Sequence, residues 1–102
     1  MCQDLGMVWE VATIDVKAGS EDQFVAAFNT GLELLAGTPG CRSVRLIRGI
    51  ENPTRFTLLN EWDTLSAHED NFRGTDRFPR WLEYVGPYFD GTPTVEHYAA
   101  VD

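Results

Sequence analysis

Met7-Val8-Trp9-Glu10-Val11-Ala12-Thr13-Ile14-Asp15-Val16 is the stretch that decides the fold. Side chains alternate along a strand, so Val8, Ala12, Ile14 and Val16 share one face, which Glu10 interrupts. Met7, Trp9, Val11 and Thr13 share the other. Both faces are mostly apolar, which predicts a central strand covered on both sides.

Gly and Pro punctuate the chain on either side of this strand. Lys17-Ala18-Gly19 turns it, and Ser20 starts a helix with Gln23 as a capping-box partner. Phe24, Phe28, Leu32 and Leu35 form one apolar stripe before Gly37, Pro39 and Gly40 end that helix. Cys41 to Arg48 reads as a second strand, with Val44 and Leu46 on one face and Arg42 and Arg48 near its ends, as at a sheet edge. Asn52-Pro53 marks a turn into a third strand, Arg55 to Trp62. Phe56, Leu58, Asn60 and Trp62 line one of its faces.

Asp63 or Thr64 caps a short helix running to about Arg73, with Leu65, His68 and Phe72 on one side. Asp76 caps the next helix, Pro79 sits in its first turn, and Phe78, Trp81, Leu82 and Val85 give an i, i+3, i+4, i+7 stripe. Thr92 to Val101 is the last strand, with Val95, His97, Ala99 and Val101 on one face. The order strand, helix, strand, strand, helices, strand predicts an α+β domain with an antiparallel sheet of the split βαβ, ferredoxin-like kind.

Helices in this topology cover one face of the sheet, yet Trp9 and Val11 are apolar on the other. Leaving them wet would forfeit roughly 25 cal/mol per Å² of apolar area. A homodimer packed through the open sheet face is the expected solution. A monomer with its last strand or N-terminal tail folded over that face is the alternative.

The 102 residues make one domain over 1–102, and 43% hydrophobic content is too high for a disordered chain. A net charge of −8 argues against nucleic acid and anionic membrane surfaces as partners. No apolar run approaches the ~20 residues that span a bilayer. The stretch Met1 to Gly6 lacks the pattern of a secretory leader, and the two cysteines, Cys2 and Cys41, fit a reducing compartment, so the expected location is cytoplasmic.

Three stretches resemble the antibiotic biosynthesis monooxygenase (ABM) family: Met7 to Gly19, Asn60-Glu61-Trp62-Asp63-Thr64-Leu65-Ser66-Ala67-His68, and Phe72 to Trp81. Trp62 followed by a short helix bearing His68, and the ending from Gly86-Pro87 to Glu96-His97-Tyr98, are the most specific parts. The resemblance implies a dimeric α/β barrel, in which two sheets face each other, and a pocket in each subunit between sheet and helices. It implies an oxygenase acting on a small electron-rich aromatic, such as a quinol, anthrone or polyketide, with no metal or flavin. Haem-degrading members use an asparagine on the first strand, where this chain has Ala12, and the resemblance does not extend to them.

His68, Asn60 and Trp62 are the candidate catalytic residues. His68 is a candidate general base near neutral pH. Asn60 either holds a substrate oxygen or is a satisfied core amide, and Trp62 either stacks on an aromatic substrate or fills the core. Glu10, Phe72, Arg73 and Trp81 are the candidate substrate-binding residues. Glu10 is either a desolvated carboxylate that orients His68 or acts as a base, or a hydrated one at an open end. Arg73 either meets an anionic substrate group or makes a structural pair. His97 reads as structural or interfacial. The spacing of Cys and His supports no metal site. Two rivals share the fold: a non-catalytic homodimer that binds a small ligand or serves as an assembly module, and an isomerase or lyase.

Overall fold

The computed structural model describes residues 6–101. Strand β1 (Val8–Asp15) alternates strictly between buried and half-buried positions, as its sequence predicts. It leads through Lys17-Ala18-Gly19 to α1 (Glu21–Thr30) and α2 (Leu32–Ala36). β2 (Cys41–Arg48) and β3 (Arg55–Trp62) follow as a hairpin. A one-turn α3 (Leu65–His68), a π-helical turn (Glu69–Arg73) and α4 (Arg77–Val85) lead to a short 3-10 turn (Gly86–Tyr88) and β4 (Thr94–Ala99).

The strand order is β2-β3-β1-β4, antiparallel throughout. This is the expected split βαβ arrangement, with β1 and β3 central and the helices over one face. In the single chain the sheet stays open and does not close into a barrel. Val8, Ala12, Ile14, Phe56, Leu58 and Trp62 form the floor of the core, and Phe24, Phe28, Leu35, Phe72, Trp81 and Val85 press on it from above. Phe24 of α1 stacks obliquely on Phe56 with ring centroids 4.9 Å apart.

Trp9 and Val11 lie on the helix-free side and remain half-buried there. Their neighbours on that side include Leu59 and Tyr98, and Tyr98 is half exposed.

Three local expectations are corrected. The helix expected from Ser20 to Gly37 breaks at Gly31, because α4 lays Tyr84 against it. A Cβ on Gly31 would sit 2.9 Å from the Tyr84 ring. The Ser20–Gln23 capping box does not form; Ser20 makes no side-chain cap, and Glu21 instead accepts from the Gly19 amide at 2.9 Å. Asp76 makes no side-chain cap either, and the Arg77 amide donates to the Thr75 hydroxyl at 3.3 Å. Thr64 does cap α3, accepting from the Ala67 amide at 3.1 Å. Cys41 is a free cysteine; Cys2 and most of the stretch Met1 to Gly6 lie outside the described residues. No helix among the described residues is long and apolar enough to cross a membrane.

Candidate active site

A cavity of about 460 Å³ lies between sheet and helices, well within the range of small-molecule pockets. Its floor is Glu10, Ala12 and Ile14 of β1 with Leu58 of β3. His68, Phe72, Phe78 and Trp81 wall it from the helical side. Arg73 and the Gly91-Thr92-Pro93 segment also line it. The lining is mainly apolar and aromatic, with Glu10 and His68 as buried polar groups.

Pairing of β1 with β3 places Glu10 opposite Asn60 and Val8 opposite Trp62. Opposite residues share a face, so both β3 side chains come to the Glu10 carboxylate. Asn60 Nδ2 and Trp62 Nε1 each donate to Glu10 Oε1 at 2.9 Å. His68 Nε2 approaches the same oxygen at 3.4 Å. No donor among the described residues reaches the other oxygen, Oε2. A buried carboxylate is tolerated only with such partners.

His68 is delivered by α3, whose start is fixed against the β2 entry. Gly40 has φ +93, and a Cβ there would fall 2.6 Å from the Ala67 side chain. The Asp63 amide donates to the Gly40 carbonyl at 2.8 Å, so only glycine allows this approach. The π turn then widens the helix; Gly74 N–H reaches back to the Glu69 carbonyl at 2.7 Å. Such turns often sit at functional sites. Here His68 and Phe72 both face inward, their rings nearly parallel with centroids 6.2 Å apart. The His68 ring also stacks on Trp62, with centroids 5.0 Å apart.

Burial holds the His68 pKa below the usual histidine value. The Glu10 charge opposes that shift, and His97 and Arg73 add to it. Cys41 lies behind the site; burial, with the Glu10 charge adding, pushes its thiol up to about 11. At neutral pH it is a thiol, not a nucleophile.

The structure brings His68 and the four expected binding residues, Glu10, Phe72, Arg73 and Trp81, to the cavity wall. Asn60 and Trp62, each fully buried, stand behind Glu10 and are not part of the lining. Arg73 makes no ion pair among the described residues; its guanidinium lies 4.7 Å over the Phe78 ring. His97, expected from the sequence to be structural or interfacial, reaches the site: its Nε2 lies 2.8 Å from His68 Nδ1. The alternation of β4 puts His97 on one face with Val95, but only the β1–β4 register sets it opposite Glu10.

The ABM family profile, antibiotic biosynthesis monooxygenase, matches residues 7–84. YczJ, an uncharacterized protein of Bacillus subtilis (strain 168), is 33% identical over 95 residues, which covers 93% of this chain and 100% of YczJ. A solved structure from Bordetella bronchiseptica that carries the same family name is 38% identical, with TM-score 0.90 over 94% of this chain and 98% of that one. Another, from Caulobacter crescentus CB15, is 28% identical with TM-score 0.81, over 95% and 92% of the two chains. The family profile spans β1 through most of α4, the elements that carry Glu10, Asn60, Trp62, His68 and Trp81, and on that match the chain belongs to the antibiotic biosynthesis monooxygenase family.

Proposed function

We propose that the protein is a cofactor-independent monooxygenase acting on a small electron-rich aromatic of the quinol, anthrone or polyketide type. The observation that carries this reading is a buried carboxylate, Glu10, held through one oxygen and presented in a mainly apolar, aromatic-walled cavity beside His68. Such a cavity fits a flat apolar substrate, and a carboxylate poised there can take its proton.

In this scheme Glu10 Oε2 removes a proton from the activated C–H of an anthrone-type substrate. The carbanion passes one electron to O₂, and the radical pair joins through a new C–O bond. The resulting hydroperoxide loses its remaining C–H proton as the O–O bond breaks. Water leaves and a carbonyl remains, so CH₂ and O₂ become C=O and H₂O. Asn60 and Trp62 act as positioning residues that fix the base, and His68 supports it from the helical side. Phe72 and Trp81, packed edge to face, wall one side of the ring system, and the unpaired Arg73 guanidinium takes an anionic substituent.

The working unit is a homodimer joined through the helix-free face that bears Trp9 and Val11. That arrangement would supply the facing sheets of a dimeric α/β barrel.

Oxygen uptake by the pure protein with anthrones and quinols is the test. The reading expects protein-dependent uptake that falls in Glu10→Gln and His68→Ala. Absence of uptake with every substrate sinks it, and saturable binding of the same aromatics without conversion would favour a binding module. Product formed without O₂ consumption would favour an isomerase or lyase.

A further inference from the structure

Beyond the base itself, the geometry points to a proton path from the cavity to the rim of the sheet, running from Glu10 through His68 to His97. Its outer end, His97, is the residue that exchanges protons with solvent. The inference rests on the reading of Glu10 as the group that takes the substrate's proton.

The path follows from strand register. Glu10 stands opposite Asn60 on β3 and opposite His97 on β4, so three polar side chains form one row on the helix-covered face. Toward β3 that row is closed, since Asn60 and Trp62 are both fully buried. Toward β4 it is open, because β4 is an edge strand and His97 is exposed. His68 bridges the gap from above: Nε2 lies 3.4 Å from Glu10 Oε1, and Nδ1 lies 2.8 Å from His97 Nε2. An aromatic substrate filling the cavity cuts Glu10 off from bulk water, and the two imidazoles become its connection to the outside.

An imidazole relays a proton only when neutral, with one N–H and one lone pair. Burial favours that form at His68. The charged groups acting on His68 are Glu10 from β1, His97 from β4, and Arg73 and Glu69 from the π turn. With Glu10 ionised, the His68 proton sits on Nε2 facing Oε1, so Nδ1 accepts from His97 Nε2–H. A proton captured from water at His97 Nδ1 then moves inward. His97 Nε2–H passes to His68 Nδ1, and His68 Nε2–H passes to Glu10, closing the 3.4 Å gap by a small approach of the ring. Outward discharge runs from the other tautomers, with each ring protonated on Nδ1: Glu10 O–H passes to His68 Nε2, His68 Nδ1–H passes to His97 Nε2, and His97 Nδ1–H passes to water, leaving Glu10 ionised. Each step makes one N–H or O–H bond and breaks one, with no change in oxidation state.

The test uses the full chain and two variants, His97→Gln and His97→Phe, at an exposed edge position where the fold is expected to persist. In histidine-¹⁵N-labelled protein, the ring-nitrogen shifts of His68 should differ between the parent and His97→Gln at the same pH. A His68 signal indifferent to His97 overturns the path, whether or not any substrate is turned over. With an active substrate, His97→Gln should lose turnover by about tenfold or more, and added imidazole should restore it. Full turnover in both variants, or a loss that imidazole does not repair, also overturns it. Should the parent protein consume no O₂ with any substrate, the monooxygenase reading fails separately, and the nitrogen shifts alone decide the proton path.

Discussion

Asn60 of β3 donates from Nδ2 to Glu10 Oε1 of β1 at 2.9 Å, inside a fully closed part of the core. Replacing the amide by an isosteric acid sets two carboxylates against each other there. Asn60→Asp should therefore be markedly less stable than the parent at pH 8 and recover part of the deficit on acidification. Asn60→Leu should lose about 1–3 kcal/mol at neutral pH, because a buried acceptor on Glu10 is deprived of a donor. Urea denaturation at several pH values checks both.

The pH profile of stability should carry a His68 signature. Its folded pKa is depressed by burial below the unfolded value of 6.5. The unfolded chain therefore binds more protons than the folded one in that window, and stability falls as pH drops from about 6.5 toward the folded pKa. Asp15 is lowered mainly by its hydrogen bond with Arg55, and its contribution is lost only further down, below its usual 3.8. Thermal unfolding between pH 7 and 5 should show the slope in the parent and a flatter profile in His68→Gln.

Ala12 lines the cavity floor two residues along β1 from Glu10, and a larger side chain there projects into empty space. Ala12→Leu should weaken binding of an aromatic probe at least about tenfold while leaving stability within about 1.5 kcal/mol. Fluorescence quenching of the cavity tryptophan, Trp81, by the probe gives the affinity; unchanged affinity would place the ligand elsewhere.

The helix-free face should be an association surface. Val11→Arg and Leu59→Glu, each half-buried on that side, should shift the protein toward monomer in sedimentation velocity with little change in far-UV circular dichroism. A parent protein already monomeric at micromolar concentration would remove the proposed dimer.

Much of this was legible in the chain because period-two alternation is strict where a strand is buried on one face. β3 runs from Arg55 to Trp62 as its pattern predicts, and Phe56, Leu58, Asn60 and Trp62 do share the inner face. A lone amide among those apolar residues requires a polar partner, and Glu10, the odd residue on β1, is that partner. What local sequence could not carry was set by contacts distant in the chain. Gly31 breaks a helix that its own stripe supports, because Tyr84 arrives 53 positions later, counted from 31 to 84. The order of layers within the site was hidden for the same reason. Asn60 and Trp62 point inward as their parity requires, yet Glu10 stands between them and the cavity. The pairing of His68 with His97 depends on the β1–β4 register and the reach of α3, neither of which alternation encodes.

β1 is a wall shared by two rooms. Its even-numbered residues, Glu10 and Ala12, furnish the cavity, and its odd-numbered residues, Trp9 and Val11, furnish the opposite side. Inserting or deleting a single residue between Ala12 and the Lys17 turn would exchange the two sets, sending the acid outward and the indole inward. Indels in this strand are thus barred twice over, and variation should reach it only by substitution, one side at a time.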